Sequence, residues 1–347
     1  MEFQNQIQRA QDFLREFQGE TPAIIYHGDC DGICSAAIII MTLGLQESPT
    51  LLSPRSRTGE AEYKDILKSN PKFIIVLDLG AIPYSLFKGM PILNIDHHII
   101  KGFGLRENVI YVNSRIEGKN LSNSLITYQI CKGIDPNISK FCKWIAALGI
   151  ESDKRQNEPM CREFLKELRM EDEEFEEKAI EYISLISSTR SVGETQQGVN
   201  VLIEACLLGG HSSLPETSGY KRLLSYRELT RRGVRELIEE SEGKMEKYNG
   251  LYIYEIDTPL DIQSYLCSTL KTKLGESTVL VVNYSLDPEF AFCDFRSSLN
   301  IMPIIKEVIK KMPVITEYGG HENAAGITLK KEDFKNFVRL LKDYFNK

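Results

Sequence analysis

Acidic and imidazole side chains follow several short apolar stretches in this 347-residue chain. In the first hundred residues they lie in the segments HGDCDG, VLDLG and NIDHH, and they are His27, Asp29, Asp31, Asp78, Asp96, His97 and His98. The segment WIAALGIESD then adds Glu151 and Asp153. Mixed carboxylate and imidazole donors without a thiolate cluster suit Mn²⁺ or Mg²⁺, and the imidazoles shift the balance toward Mn²⁺.

The apolar stretches before these side chains predict a parallel sheet. Strands are predicted at 22–27, 50–54, 72–78 and 91–96, with helices at 34–45 and 60–69. Near-continuous apolar strands separated by helices are typical of a sheet buried on both faces, so we predict a doubly wound, mostly parallel α/β domain. Ligands bind such sheets at the carboxyl ends of the strands. Carboxylates gathered there would repel one another unless cations neutralised them, so the sequence predicts a dinuclear metal site.

The rest of the chain predicts a helical extension and a second, smaller domain. Helical patterns cover 122–133, 139–149 and about 160–190, and the stretch 191–250 is mixed. Strands return at 251–256, 277–285 and 290–297, with helices at 262–274, 299–311 and 331–345. We therefore expect a catalytic domain over 1–190, a connecting helical segment over 191–250, and a smaller α+β domain over 251–347 across a cleft from the first.

Composition excludes several classes of protein. The chain is 42% hydrophobic and 26% charged, as expected of a globular protein, and its formal net charge of −7 argues against binding duplex nucleic acid by bulk electrostatics. A local basic stretch at 221–235 is most simply a solvated helix face. No apolar run reaches the roughly 20 residues that span a bilayer, and the eight scattered cysteines fit reduced, buried thiols. We therefore expect a cytoplasmic protein that does not interact with membranes.

The ordered motifs resemble those of the DHH phosphoesterases, named for the triplet found here as Asp96, His97 and His98. HGDCDG, VLDLG, IDHH, ALGIESD and the glycine-rich GGHENAAG at 319–326 are similar to successive motifs of that family. The resemblance covers nearly the whole chain and is greatest to the RecJ-like and nanoRNase-like branch with a DHH-associated C-terminal domain, of the archaeal RecJ-like type. Each motif alone is weak, and their order makes the match specific.

The resemblance implies a role for each residue of the site. It places His27, Asp29 and Asp78 around one metal ion, and Asp31, Asp78, His97 and Asp153 around a second, with Asp78 as the bridge. It also implies that His98 faces the substrate phosphate and that Asp96 orients a ligand histidine.

Two departures from the family pattern concern these assignments. The first-motif histidine lies further upstream in bacterial relatives, which bears on His27. Lys154 and Arg155 follow Asp153 where the family often has Asp-Thr-Gly, so Glu151 stays an alternative ligand.

A second group of candidate residues lies near the C-terminus. By itself GGHENAAG predicts a tight glycine turn before a strand. The family resemblance instead implies a phosphate-binding loop, in which a backbone free of side chains approaches the substrate. The candidate substrate-binding residues are Arg296, Ser297, Gly319, Gly320, His321 and Asn323.

The resemblance implies a metal-dependent phosphodiesterase, and we favour an exonuclease that releases mononucleotides from single-stranded DNA or RNA, including short oligonucleotides, by two-metal hydrolysis. One alternative is a phosphodiesterase or phosphatase for small substrates such as cyclic dinucleotides, dinucleotides or adenosine bisphosphate. Another is a non-catalytic scaffold in a replication assembly. The expected partners are single-stranded nucleic acid and either a replication or repair protein or a second copy of the chain.

Overall fold

The computed structural model describes residues 3–46, 50–54, 60–80, 82–98, 106–312 and 317–346, without the side chains of Ser139, Glu317 and His321. The chain divides into two compact units. The first contains residues 1–190 and 194–227, and the second contains residues 191–193 and 228–347. The boundary between them falls within one long helix, Tyr220–Lys244.

The segment up to Lys244 contains interspersed helices and strands as far as Asn113 and continues with helices. Its helices are α1 (Phe3–Glu16), α2 (Cys30–Leu43), α3 (Glu60–Ile66), α4 (Asn123–Lys132), α5 (Ile138–Ser152), α6 (Pro159–Glu171), α7 (Glu174–Ser191), α8 (Thr195–Leu208) and α9 (Tyr220–Lys244). Its strands are β1 (Pro22–Tyr26), β2 (Thr50–Leu52), β3 (Phe73–Leu77), β4 (Ile92–Asp96) and β5 (Val109–Asn113).

The five strands of the first unit form one parallel sheet in the order β2-β1-β3-β4-β5. The central strands are buried on both faces because they are apolar at nearly every position. Ile24 and Tyr26 of β1 belong to the cluster with α1, α2, α4 and α5, while Ala23 and Ile25 belong to the cluster with α3. The strand order reverses direction between β1 and β3, which is where ligands bind in folds of this type.

The second unit holds a mixed sheet of six strands. Its further strands are β6 (Glu246–Tyr248), β7 (Leu251–Ile256), β8 (Thr278–Asn283), β9 (Phe290–Ser297), β10 (Glu317–His321) and β11 (Ala324–Lys330). They lie in the order β10-β11-β9-β8-β7-β6, and only β7 and β8 pair in parallel. Helix α10 (Gln263–Leu274) packs on one face, and α11 (Met302–Lys310) and α12 (Phe334–Phe345) pack on the other.

This architecture confirms the predicted fold class of a parallel α/β sheet followed by an α+β sheet domain. Several elements differ from the sequence prediction. The long helical run at 160–190 is two helices, α6 and α7, and the strands β5, β6 and β10 were not predicted. All eight cysteines are free and buried. Among the helices that the structure describes, none has both the length and the apolar character needed to cross a bilayer.

Candidate metal centre

The first motif lies between β1 and α2, where Asp29 caps the helix. Its side chain accepts a hydrogen bond of 3.0 Å from the Gly32 amide, which satisfies one of the free N–H groups of the first turn. A Cβ at position 32 would lie 2.2 Å from the His27 carbonyl oxygen, so only glycine allows α2 to begin this close to β1. Asp29 and Gly32 therefore form the turn that places Asp31 inside the protein.

Asp31 is fully buried and faces the beginning of α4. Its two oxygens accept hydrogen bonds of 2.6 Å from the Asn123 amide and 2.9 Å from the Ser124 amide. A Cβ at Gly149 of α5 would lie 2.3 Å from Asp31 Oδ1, so glycine is required there as well. Burial and the charge of Asp153 raise the pKa of Asp31 well above its ordinary value. A cation beside Asp31 would reverse that shift.

Asp78 follows β3 in a strained backbone conformation. Its φ of 59° is in the left-handed region, which non-glycine residues rarely adopt, and its amide donates a 2.9 Å hydrogen bond to the Ile95 carbonyl oxygen. The side chain is only 1% exposed. Strain of this kind concentrates at functional sites, because the surrounding structure must hold the residue in place.

His97 is held in one orientation by a backbone carbonyl. Its Nδ1 donates a 2.9 Å hydrogen bond to the Leu121 oxygen, which can only accept. Its Nε2 then faces Asp78 Oδ1 at 3.0 Å and Asp153 Oδ2 at 3.4 Å. Burial lowers the pKa of His97, but the Asp78 and Asp153 carboxylates outweigh it and raise that pKa to about 10. A proton or a metal ion is therefore favoured at Nε2.

His98 is oriented by Asp96. Its Nδ1 donates a 2.7 Å hydrogen bond to Asp96 Oδ1, while the Tyr111 hydroxyl donates to Asp96 Oδ2 at 2.9 Å. Burial would raise the pKa of Asp96, but the positive charge of His98 holds it well below its ordinary value. Asp96 therefore orients His98, whereas the Leu121 carbonyl orients His97.

His27 lies at the opposite side of Asp78. Its Nδ1 is 2.8 Å from Asp29 Oδ2 and 3.4 Å from Asp78 Oδ2. Its Nε2 is 3.4 Å from an Nη1 atom of Arg190. Burial lowers the pKa of His27, and the charge of Asp29 more than reverses this and raises it to about 9.

Asp153 ends α5 and completes the group. The amides of Lys154 and Arg155 donate to the Glu151 and Ile150 carbonyl oxygens, a helix-ending pattern in which Lys154 takes a left-handed φ of 56°. Burial raises the pKa of Asp153 to about 6. Glu151, the alternative ligand, instead lies 3.7 Å from Arg169 and is absent from the ligand groups formed by the described residues.

Three sets of ligand atoms lie within 4.8 Å of one another among the described residues. They are Asp78, His97 and His98; His27, Asp29 and Asp78; and Asp31, His97 and Asp153. His27 Nδ1 and Asp78 Oδ1 are buried and make no hydrogen bond of acceptable geometry to the described residues, although each lies within 3.0 Å of a neighbouring polar atom. Donor atoms about 3 Å apart with unused lone pairs fit the shell of a divalent cation, whose ligands lie about 2.1 Å from the ion.

The substrate-binding candidates of the second unit have hydrogen-bond partners within it. The guanidinium of Arg296 donates to Ser264 Oγ at 2.7 Å and to Ser268 Oγ at 3.0 Å. The Ser297 hydroxyl is buried beside Thr278 Oγ1 at 2.7 Å, and the Asn323 amide donates to the Ser297 carbonyl oxygen at 2.9 Å.

The glycine-rich segment forms the β10–β11 hairpin of the same unit. Gly319 pairs with Gly326 in register, and a Cβ added at either would meet nothing within 4 Å. Gly320 has a φ of 148° and lies against Ala324 and Ala325, so a side chain there would clash. His321 falls in β10, but its side chain is outside the described residues.

Three arginines near the metal centre were not predicted from the sequence. They are Arg115, Arg155 and Arg190, and each lies within 4 Å of a ligand residue or its backbone. The sequence marked Arg155 only as a departure from the family motif, whereas Arg115 and Arg190 come close only through tertiary packing. The basic stretch at 221–235 forms part of α9, where Arg227 donates to Glu181 at 3.1 Å.

The chain is similar to known proteins in its C-terminal domain and in its fold. Residues 247–347 match the DHHA1 domain. RecJ from Thermus thermophilus, solved in complex with Mn²⁺, is similar in structure with a TM-score of 0.74 and 15% sequence identity. The similarity covers 98% of this chain but only 55% of that RecJ chain, so the protein spans about half the length of that relative.

Two further structures are similar over most of their own length. Exonuclease RecJ bound to manganese has a TM-score of 0.67 and 17% identity, with 98% of this chain and 94% of the other covered. A DHH domain described as belonging to a family of ribosomal proteins has a TM-score of 0.71 and 18% identity, with 99% and 90% covered. No curated protein matches the chain by sequence. The fold and the C-terminal domain confirm the resemblance to RecJ-like DHH phosphoesterases.

Proposed function

Because the chain has the fold of RecJ-like DHH phosphoesterases and ends in a DHHA1 domain, we propose that it is a metal-dependent phosphodiesterase that acts on single-stranded nucleic acid. The observation that carries this proposal is the convergence of four carboxylates and a fixed imidazole at the carboxyl ends of β1, β3 and β4. These residues are Asp29, Asp31, Asp78, Asp153 and His97.

Two divalent cations, Mn²⁺ or Mg²⁺, fit the donor set. His27, Asp29 and Asp78 would hold one, and Asp31, His97 and Asp153 would hold the other. Asp78 would join the second set as well, since its Oδ1 lies 3.0 Å from His97 Nε2. Asp78 suits the shared position because Oδ2 faces His27 and Oδ1 faces His97. When bound, such a pair supplies Lewis acidity that activates water and polarises a phosphoryl group at neutral pH.

Neighbouring groups determine which ring nitrogen of His97 and of His27 carries a proton and which could bind a cation. The Leu121 carbonyl keeps the His97 proton on Nδ1, so Nε2 presents a lone pair to a cation. A cation at His27 Nδ1 requires that ring to carry its proton on Nε2, and the approach of Arg190 is then a close contact of two N–H groups.

His98 is placed to serve the substrate. Asp96 fixes its Nδ1 proton, and the side chain is 31% exposed, so Nε2 is the ring atom left to face a phosphate or a leaving oxygen. A nearby imidazole donor would stabilise the charge that develops on the phosphoryl oxygens. This is the role that the family resemblance implies for His98. Asp96, which the resemblance assigns to a ligand histidine, instead contacts His98 and would be its positioning residue.

The DHHA1 domain would bind the nucleic-acid strand. Ser264 and Ser268 fix the Arg296 fork, and the bare backbone of Gly319 and Gly326 lies on the neighbouring strands. A fixed guanidinium beside an open backbone surface suits a phosphate. His321 and Asn323 remain candidates for the same role. Release of mononucleotides from one end of a strand is the activity that we favour.

Digestion of single-stranded DNA and RNA oligomers of graded length, labelled at each end in turn, tests the proposal. With Mn²⁺ the wild-type protein should shorten the strands stepwise, while Asp78→Asn should leave them intact. Asp65→Asn, on an exposed ion pair of α3, is the matched control and should behave as wild type. If the wild-type protein leaves strands of every length intact, the exonuclease proposal is wrong. If it cleaves dinucleotides alone, it is a small-substrate phosphodiesterase.

A further inference from the structure

Arg155 is a half-buried cation beside the metal centre, and part of its hydrogen-bonding capacity is unused. Its side chain is 16% exposed, and its Nε lies 3.6 Å from Asp153 Oδ2, outside hydrogen-bonding distance. That Nε is buried and has no hydrogen-bond partner among the described residues. A buried N–H group without an acceptor is unfavourable, so the Arg155 guanidinium keeps a free donor for an anion beside its ion pair with Asp153.

The backbone directs Arg155 to this position. The turn that ends α5 places Asp153 at the helix C-terminus and Arg155 two residues later, with the strained Lys154 between them. The Arg155 amide donates to Ile150, which fixes the backbone of this turn. One turn therefore presents a candidate metal ligand and a guanidinium to the same place.

Arg115 approaches from the other side, after β5. Asn113 caps the short helical turn at Ser114–Glu117 by accepting from the Arg115 amide at 2.8 Å, and Arg115 Nε donates to the His97 carbonyl oxygen at 3.1 Å. Asp153 Oδ2 lies 3.6 Å from Arg155 Nε and 3.4 Å from Nε2 of the same His97, so both arginines lie beside the His97–Asp153 pair. Burial and the positive charge of Arg155 also lower the pKa of Arg115. Glu158 and Asp153 act in the opposite direction.

The charges of the site explain why two cations would lie there. Two divalent ions balance the four carboxylates of Asp29, Asp31, Asp78 and Asp153, so the filled centre carries no excess positive charge for a nucleic-acid strand. Every further phosphate brings a negative charge into a partly buried region, where an uncompensated charge is costly. Arg115 and Arg155 supply that compensation, and a guanidinium fork matches phosphate oxygens better than an ammonium group does.

We propose that Arg155 and Arg115 together bind a phosphate group of the nucleotide strand beside the metal centre and so determine where the strand is positioned for cleavage. This subsite rests on the proposed function, since it takes the same substrate. This subsite is distinct from the candidate substrate-binding residues of the second unit, because Arg155 follows α5 and Arg115 follows β5, both in the first unit.

Three measurements on the full chain test the subsite. Binding of fluorescein-labelled oligothymidylate is followed by anisotropy with Ca²⁺ in place of Mn²⁺, Mn²⁺ affinity by electron paramagnetic resonance, and hydrolysis by KM and kcat. Arg155→Gln should weaken oligothymidylate binding about tenfold or more and raise KM, because hydrogen bonds to a charged group are lost. Mn²⁺ affinity should stay unchanged.

Two further variants and a control separate a specific role from a general one. Arg155→Lys should recover part of the binding, and Arg115→Gln should weaken it in the same direction. Arg339→Gln, on an exposed ion pair of α12, should bind as wild type. If Arg155→Gln does not fold, Arg155→Lys and Arg115→Gln carry the test.

Unchanged oligothymidylate binding in the arginine variants overturns the subsite, as does a loss that follows Mn²⁺ affinity or a wild-type protein that binds no oligothymidylate. Failure of the subsite differs from failure of the proposed function. Arginine-dependent binding without hydrolysis would refute the hydrolase and keep the subsite. Hydrolysis with unaffected arginine variants would do the reverse.

Discussion

The candidate sites of the two units differ in how their polar groups are satisfied. In the first unit, Asp78 Oδ1 and His27 Nδ1 are buried at contact distance from other polar atoms and yet form no proper hydrogen bond. In the second unit, Arg296 and Asn323 donate hydrogen bonds to serine and backbone oxygens of the same unit. Bound cations would account for the unsatisfied atoms of the first unit, whereas the hydrogen-bonded side chains of the second unit are already held in place.

The largest effect that this contrast predicts is the loss of Asp78. Asp78→Asn removes the carboxylate that faces both His27 and His97, so neither cation keeps its full set of ligands. We expect kcat to fall by about 1,000-fold or more, as when a group acting in the transition state is removed. A variant with Asp78→Asn that retains most of its activity would show that this carboxylate is not shared.

The pH dependence of metal binding is the next largest effect. Without metal, pKa values of about 10 for His97 and about 9 for His27 keep both rings protonated near neutral pH. A cation must displace those protons, so binding should tighten as pH rises between about 6.5 and 8.5, by about tenfold per pH unit for each proton displaced. Titration with Mn²⁺ at several pH values measures the slope. A Mn²⁺ affinity that does not vary with pH would show that neither His27 nor His97 binds the cation.

Asp96 should matter to turnover more than to metal binding. Asp96→Asn weakens its hydrogen bond to His98 but leaves the Leu121 carbonyl to orient His97. We expect a decrease of about 10- to 100-fold in kcat with nearly unchanged Mn²⁺ affinity. An equal loss in both measurements would mean that Asp96 supports a metal ligand after all.

Arg296 should show the smaller effect expected of a preformed surface. Arg296→Lys keeps the charge but loses the fork that Ser264 and Ser268 hold. We expect KM for a labelled oligomer to rise by about tenfold or less, because an ammonium group replaces only part of the contact. Mn²⁺ affinity should be unaffected, and an unchanged KM would exclude a substrate contact.

The smallest predicted effect concerns the turn that carries Asp153. Lys154 has a φ of 56°, which glycine adopts without strain, so Lys154→Gly should raise the free energy of unfolding by about 0.5 kcal/mol. Chemical denaturation measures this change. A lower stability would indicate that the lysine side chain contributes contacts that outweigh its backbone strain.

The sequence predicted the central strands and the residues at their ends, but not the edge strand β5 or the arginines beside the site. Strands β1, β3 and β4 were predictable because an unbroken apolar run has few alternatives, and the strand-end rule then brought Asp29, Asp78 and His97 together. Strand β5 was missed although Val109–Val112 is apolar, because a run of four residues is too short to identify a strand by periodicity alone. The Arg155 and Arg115 pair depends on the turn after α5, which no local pattern encodes.

The site residues show the same limit. Adjacent histidines in the sequence predict that both lie at one strand end, but they do not predict which one Asp96 contacts. That choice depends on Leu121, 24 residues further along the chain, whose carbonyl takes the Nδ1 proton of His97. The family resemblance named Ser297 and Asn323 as substrate-binding candidates. Their hydrogen bonds depend on neighbours, such as Thr278, that only the folded sheet brings close.

Anomalous diffraction from crystals grown with Mn²⁺ tests the central claim most directly. We expect two peaks at the carboxyl ends of β1, β3 and β4, with one oxygen of Asp78 directed to each. One peak would lie among His27, Asp29 and Asp78, and the other among Asp31, Asp78, His97 and Asp153. No peak at this edge of the sheet, or ions bound without Asp78, would contradict it.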